Sequence, residues 1–251
     1  MLRYVGVVDR GLVHKTNDDA ALLRHSVIHD GAFEGETFIE GGIFAVADGV
    51  GSIENSELAS RYVLYCLQEC NPRKTNEIIR CINAANRGLV KNNCGYTLCT
   101  TLCAVGILGS QLISYNVGNS RLYRFRGGFL RQLTRDDSKV QELIDMGILN
   151  EETAKEYPEK NIITKCLGVP NYSTDWITVT AHRENFICND IIVLCTDGIH
   201  GYVDIEELEN ILSDDISLTE KAKRIIQCAN DKGGYDNETV VLIEKVDSKD
   251  A

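Results

Sequence analysis

Apolar residues along this chain fall into short blocks separated by glycine, aspartate and asparagine. Blocks of this kind, bounded by turn formers, predict strands. The pattern places strands at residues 4–8, 20–26, 43–47, 97–108, 111–117, 121–125, 129–133, 161–165 and 176–180. A further strand ends at Asp197, and a closing one covers 238–246. Arg126-Gly127-Gly128 reads as a hairpin turn between two of them. The polar, glycine-rich stretch 29–42 predicts a surface hairpin or loop.

Elsewhere the period lengthens to that of a helix. Residues 57–70 carry Leu58, Tyr62 and Cys66 at helical spacing, with Leu67 on the flank. Residues 76–91 set Ile78, Ile82, Ala85 and Leu89 on one stripe, behind Thr75 as N-cap. Shorter helices are expected over 138–146, 151–156 and 205–212, and a longer one over 218–230. These stripes read as faces that pack on a sheet. Strands clustered ahead of and between helices, with hairpin turns, indicate an α+β class and not a doubly wound parallel sheet.

Composition narrows the setting. A chain of 251 residues that is 43% hydrophobic can bury one large core, so residues 1–251 read as a single domain. No repeat or low-complexity tract occurs, and the three prolines make no linker. No apolar run reaches the ~18–20 residues of a membrane span. The first residues turn polar too quickly for a secretory signal, so a cytoplasmic protein without a membrane partner is expected. The formal charge of −11 argues against a nucleic-acid partner. Ten cysteines include no Cys-x-x-Cys pair. Cys99, Cys103, Cys188 and Cys195 fall in or beside strands, and Cys66, Cys70, Cys81 and Cys228 on helices. They read as small core hydrophobes in a reducing compartment; the competing reading is a disulfide-rich secreted protein.

The candidate chemistry lies in four aspartates. Asp19 follows Asn17-Asp18; Asp48 ends the run 43–47 and precedes Gly49; Asp197 follows 191–196 and precedes Gly198; Asp236 opens the last strand. A carboxylate at a strand end beside a glycine points into a cleft while the strand stays buried. A single Asp-Gly is more often a turn, so the order and the flanking residues carry the weight. Oxygen-only ligands suit Mg²⁺ or Mn²⁺ better than zinc.

Residues 11–19 (Gly-Leu-Val-His-Lys-Thr-Asn-Asp-Asp), Val46-Ala47-Asp48-Gly49-Val50-Gly51, Asn116-Val117-Gly118-Asn119-Ser120-Arg121, Cys195-Thr196-Asp197-Gly198 and Asp236-Asn237-Glu238-Thr239 keep an informative order. Together they resemble the metal-dependent protein phosphatases of the type 2C class, most closely the bacterial serine/threonine branch. The resemblance runs from about residue 4 to residue 246. It implies two antiparallel sheets packed as a sandwich with helices on the outer faces. It also implies hydrolysis of protein phosphoserine and phosphothreonine by a hydroxide bridging two Mg²⁺ or Mn²⁺ ions. By the same likeness Asp48 bridges the ions, the Gly49 carbonyl adds an oxygen, Asp197 and Asp236 hold one ion, and Asp19 acts mostly through ordered waters. Asn237 would orient the Asp236 loop. Residues 139–160 occupy the position of a mobile, substrate-contacting flap; a solvated connector of no special function is the competing reading. Phosphoproteins, including a Ser/Thr protein kinase or its substrates, are the implied partners.

The chain also departs from the family pattern. His14 stands where an arginine commonly clamps the substrate phosphate; His14 or Lys15 would substitute as a single-point cation, or His14 is an exposed strand-end histidine with no role, and the two readings stand even. Asn119 replaces an aspartate that helps bind a third metal in bacterial relatives, and a neutral amide attracts a divalent cation less. Asp136-Asp137-Ser138 replaces Asp-His-Ser, Ser52 replaces a glycine, Tyr96 replaces a threonine beside Thr97, and Val50 leaves the Asp-Gly loop without a histidine. Arg121 reads equally as an ion-pair residue and a site residue. Two other functions fit these residues. One is a weakly active or inactive module that binds phosphoproteins, which the His14 and Asn119 departures favour. The other is a different two-metal hydrolase such as a nuclease, against which the acidic balance counts.

Overall fold

The computed structural model describes residues 1–38, 41–50, 56–92 and 98–247. The expectations for Gly51, Ser52 and residues 95–97 lie outside these. Two antiparallel sheets carry the fold. The first runs β10 (Phe129–Gln132), β9 (Arg121–Arg126), β12 (Ile191–Cys195), β13 (Glu238–Lys245), β1 (Leu2–Asp9) and β4 (Gly31–Thr37). The second runs β11 (Thr178–Ala181), β8 (Gln111–Val117), β7 (Leu102–Leu108), β5 (Gly42–Val50), β2 (Asp19–Leu23) and β3 (Ser26–Ile28), with the short β6 (Cys99–Thr100) against the end of β5.

Side-chain alternation explains the layers. On β13, Val241 and Ile243 join Leu2, Tyr4, Phe44, Val46, Ile192 and Leu194 between the sheets. Val240 and Leu242 face the other way, onto α5 (Asp197–His200), α6 (Ile205–Ser213) and α7 (Leu218–Asp231). On β5, Phe44 and Val46 point between the sheets. Ile43, Ala45 and Ala47 pack under α1 (Ser56–Gln68) and α2 (Thr75–Lys91). Central strands covered on both faces read as unbroken apolar runs even in an antiparallel sheet, which is why their sequences do not alternate. The result is the expected α+β sandwich with helices outside. Among the described residues no helix is long and apolar enough to cross a membrane.

Several local expectations are corrected. Lys74, not Thr75, is the N-cap of α2, and no side chain caps it. The expected stripe of α1 is turned: Leu58 is 49% and Tyr62 37% exposed. The helix instead buries Ser56, Ala59, Ser60, Val63, Leu64 and Leu67. Its small residues let it lie close to the sheet, and the Ser60 hydroxyl donates to the Asp18 carbonyl at 2.6 Å. Residues 161–165 form no strand, only a single bridge between Ser138 and Ile163. The stretch 29–42 contains β4, which pairs along β1 from Leu2↔Thr37 to Val8↔Gly31. Residues 176–180 divide into a 3-10 turn at Thr174–Trp176 and β11. The strand expected over 97–108 breaks at Thr101. Its N–H donates to Asp48 O at 2.8 Å, while β6 pairs Thr100 with Gly49. Cys188 is exposed rather than in the core, and every described cysteine is unpaired.

The flap-like segment folds as α3 (Lys139–Asp145) and α4 (Glu151–Lys155). Ser138 caps α3 through Gln141 N, and Asn150 with Thr153 forms a capping box on α4. Lys139 N to Ile162 O at 2.9 Å and Thr164 N to Asp137 O at 2.8 Å tie its base to the body.

Candidate active site

One end of the sandwich gathers the four aspartates. Asp19 opens β2 and Asp48 lies near the end of β5, and the antiparallel register sets them opposite each other. Asp197 is not the end of a strand. Thr196 follows β12, and Asp197 is the first residue of the short helix α5. Asp236 sits in the turn that leads into β13.

Backbone and hydroxyl contacts hold this end closed. Thr196 Oγ1 donates to Asp19 Oδ2 at 2.7 Å and accepts from Thr239 N at 3.1 Å, so one hydroxyl links both sheets. Thr101 Oγ1 accepts from Asp48 N at 3.1 Å and shares a 2.8 Å hydrogen bond with Ser120 Oγ. Gly49 N donates to Asp18 O at 3.0 Å. A side-chain carbon at Gly49 would come within 2.5 Å of Ser56 O, and one at Gly198 within 1.9 Å of Asn237 O. The two Asp-Gly pairs therefore need glycine because backbone crosses backbone there.

The electrostatics are unfavourable for a bare carboxylate. Burial raises Asp19 and Asp48 well above the ordinary range, and the neighbouring aspartates add to it. Asp197 is also raised, first by burial and then by Asp236. The Asp48 and Asp197 carboxyls approach closely enough to hydrogen-bond each other. In this arrangement no three acidic, His or Cys side chains among the described residues surround one point as ligands do. Asp19 Oδ1 is buried without a hydrogen-bond partner. Like charges held this near one another in a water-poor cleft call for a compensating cation or for protons. The donor set is all oxygen, which fits Mg²⁺ or Mn²⁺.

The other candidates separate. Asn119 is buried and its Nδ2 donates to Asp197 Oδ2 at 3.0 Å. Its backbone carbonyl accepts from His200 Nε2 at 3.0 Å. Burial, with Arg121 nearby, pushes His200 well below its usual pKa. His14 Nε2 lies 3.7 Å from Asp236 Oδ1. Lys15 is exposed, and its backbone carbonyl accepts from Arg10 Nη1 at 3.4 Å. The surface cavity lined by Asn83, Arg87, Val90 and Tyr172 shares no residue with the cluster.

This architecture matches solved phosphatases. The structure of the S. agalactiae serine/threonine phosphatase superposes with a TM-score of 0.85 at 27% identity, covering 98% of this chain and 100% of that one. The catalytic domain of the serine/threonine protein phosphatase PstP, solved with two manganese ions, gives 0.79 at 28%, covering 98% and 99%. The serine/threonine phosphatase stp of Listeria welshimeri is 34% identical over 94% of this chain and 93% of its own length. The chain belongs to the type 2C serine/threonine phosphatase family. A scan against models of protein families returned no match.

Within this type 2C phosphatase, two departures find local roles. Asp137 takes Gly118 N at 3.1 Å and Lys165 Nζ at 2.6 Å, so it pins the loop that carries Asn119. Asp136 grips Arg121 through its Nε and Nη2, at 2.8 to 3.0 Å, and Tyr123 OH takes Nη1 at 3.0 Å. Arg121 is thus an ion-pair residue. Asn237 does more than expected: its Oδ1 accepts from Asp18 N at 2.8 Å, and its Nδ2 donates to Arg10 O at 2.8 Å and Thr16 O at 3.0 Å. It fastens the whole 10–18 loop. Thr196 belongs to the Cys-Thr-Asp-Gly motif, but no pattern in the chain signals that its hydroxyl reaches Asp19. Nor does any signal place Tyr202 against Tyr235, with ring centroids 5.8 Å apart.

Proposed function

We propose that this chain hydrolyses phosphoserine and phosphothreonine in proteins with the aid of two divalent ions, Mg²⁺ or Mn²⁺. Asp19, Asp48, Asp197 and Asp236, with the Gly49 carbonyl, would hold them. The observation that carries this reading is the nearness of these carboxylates to one another at one end of the sandwich, with one buried oxygen, Asp19 Oδ1, left without a hydrogen-bond partner. When bound, such ions activate water at neutral pH and neutralise charge on the phosphoryl oxygens.

The chain's own residues do the rest. Thr196 orients Asp19 through its hydroxyl, and Asn119 orients Asp197 through its amide. The crossing backbones at Gly49 and Gly198 hold both carboxylates rigidly. His14 and Lys15, on the loop fastened by Asn237, supply cationic edges for the substrate phosphate. Residues 1–251 would act as one catalytic domain, with α3 and α4 beside the site as a substrate-contacting flap. We place the protein in the cytoplasm, acting on phosphoproteins that include a Ser/Thr protein kinase or its substrates. The asparagine at 119 leaves any third ion weakly held.

Turnover of p-nitrophenyl phosphate and of a phosphothreonine peptide tests this reading. Activity should appear with Mn²⁺, vanish in EDTA and return with excess Mn²⁺. Turnover indifferent to EDTA, or none at all, would sink it.

A further inference from the structure

Beside the carboxylate cluster the surface turns apolar. Leu12 is 67%, Val13 59% and Tyr235 57% exposed. Exposed apolar residues scattered singly are ordinary, but a contiguous group marks an interaction site. These three are joined by the backbone. The N–H groups of Leu12 and Val13 both donate to Gly234 O, at 2.8 and 3.2 Å. The approach is tight, since a side-chain carbon at Gly234 would meet Leu12 Cγ at 2.7 Å. Tyr235 rests on Tyr202 with ring centroids 5.8 Å apart. Tyr202 directly follows the turn that closes α5, the helix that Asp197 opens, and its N–H donates to Ile199 O at 3.1 Å. His14 directly follows Val13 and reaches 3.7 Å from Asp236. The ledge therefore begins one residue from the polar edge of the site.

We propose that Leu12, Val13, Tyr202 and Tyr235 form a substrate subsite that takes a large apolar or aromatic side chain flanking the phosphorylated residue. The inference rests on the phosphatase reading above and names the kind of peptide it acts on. An extended peptide advances roughly 3.3–3.6 Å per residue. With its phosphoryl group at the carboxylates, a neighbouring side chain is carried onto this ledge. Tyrosines supply large contact area at low entropic cost. The formal charge of −11 repels acidic flanking residues and bears no preference between apolar and neutral polar ones, which the ledge itself must supply.

Two phosphothreonine peptides that differ only in one flanking residue, Phe or Ser, test this with Mn²⁺ present. Wild type should favour the Phe peptide in kcat/KM by about fivefold or more, mostly through KM. In Leu12→Ser and in Tyr235→Ser the ratio should fall toward one; reading a ratio removes any general loss of activity. A wild-type ratio within twofold, or a ratio that both variants retain, overturns the subsite. Turnover of p-nitrophenyl phosphate with no turnover of either peptide also overturns it, while no turnover of anything overturns the phosphatase reading and the subsite with it. Sedimentation that shows a dimer dissolved by Leu12→Ser would assign the ledge to a second copy of the chain instead.

Discussion

Asn237→Ala should loosen the loop that borders the site. The Asn237 side chain is 5% exposed and makes three hydrogen bonds, one accepted from Asp18 N and two donated to the Arg10 and Thr16 carbonyls. Each is worth about 0.5–1.5 kcal/mol net, so the upper bound is ~4.5 kcal/mol. Arg10 and Thr16 are exposed, and water can take over their carbonyls. The expected loss is therefore about 2 kcal/mol, a fall in Tm of roughly 4–8 °C for a domain of this size. The freed loop carries Leu12, Val13, His14 and Lys15. KM for a phosphopeptide should rise severalfold while kcat falls less. Asn237→Asp sharpens the test. It keeps the acceptor for Asp18 N but turns an oxygen toward both carbonyls, so it should cost at least as much as alanine despite its shape. Urea denaturation and steady-state kinetics check both variants. A stability change below about 0.5 kcal/mol with an unaltered KM would refute the fastening role of Asn237.

The remaining predictions concern the carboxylates and their neighbours. Asp197→Asn should lower turnover by roughly 100-fold or more at saturating Mn²⁺ with the fold intact by circular dichroism; near-wild-type turnover would remove Asp197 from the metal site. Asn119→Asp sets a carboxylate where the amide now donates to Asp197, so the Mn²⁺ concentration for half-maximal activity should fall; an unchanged titration rejects a third ion there. His14→Arg offers two parallel donors in place of one and should lower KM for a phosphopeptide with little change in kcat; no gain would mean that position 14 does not face the phosphate. In EDTA, stability should rise as pH falls from about 8 toward 6.5. Burial raises Asp19, Asp48 and Asp197, and lifts Glu238 to about 8, so the folded chain binds more protons than the unfolded one. That stabilisation is lost as pH climbs through the raised values. Below the ordinary 6.5, the buried neutral His200 works in the opposite sense. Calorimetry across this range checks the sign, and stability that increases with pH would contradict it.

The site was legible in the sequence where its cause is local, and hidden where its cause is an approach between distant segments. Asp48 and Gly49 stand out because a doubly buried strand must end in turn chemistry, and the run 43–47 announces that strand. The stripe Ile78, Ile82, Ala85 and Leu89 was readable for the same reason, since a helix on a sheet repeats its contacts every turn, and all four are buried. On α1 the same logic chose the larger residues, whereas close approach to the sheet selected Ala59 and Ser60. Size and burial part company where a helix must come near a strand. The start of α5 at Asp197 was hidden behind β12, whose apolar run continues into Thr196 without a break in composition. The links from Thr196 to Asp19 and from Asn237 to Asp18 span 177 and 219 residues, and no periodicity encodes such separations. The same holds for Tyr202 and Tyr235, which lie in turns 33 residues apart, one after α5 and one before β13, and stack beside the paired β12 and β13. Of the candidate carboxylates, Asp19 and Asp48 thus follow from paired strands, while Asp197 and Asp236 follow from the turns beside β12 and β13. The residues that aim them, and those proposed to choose the substrate, follow from how the two sheets close on each other.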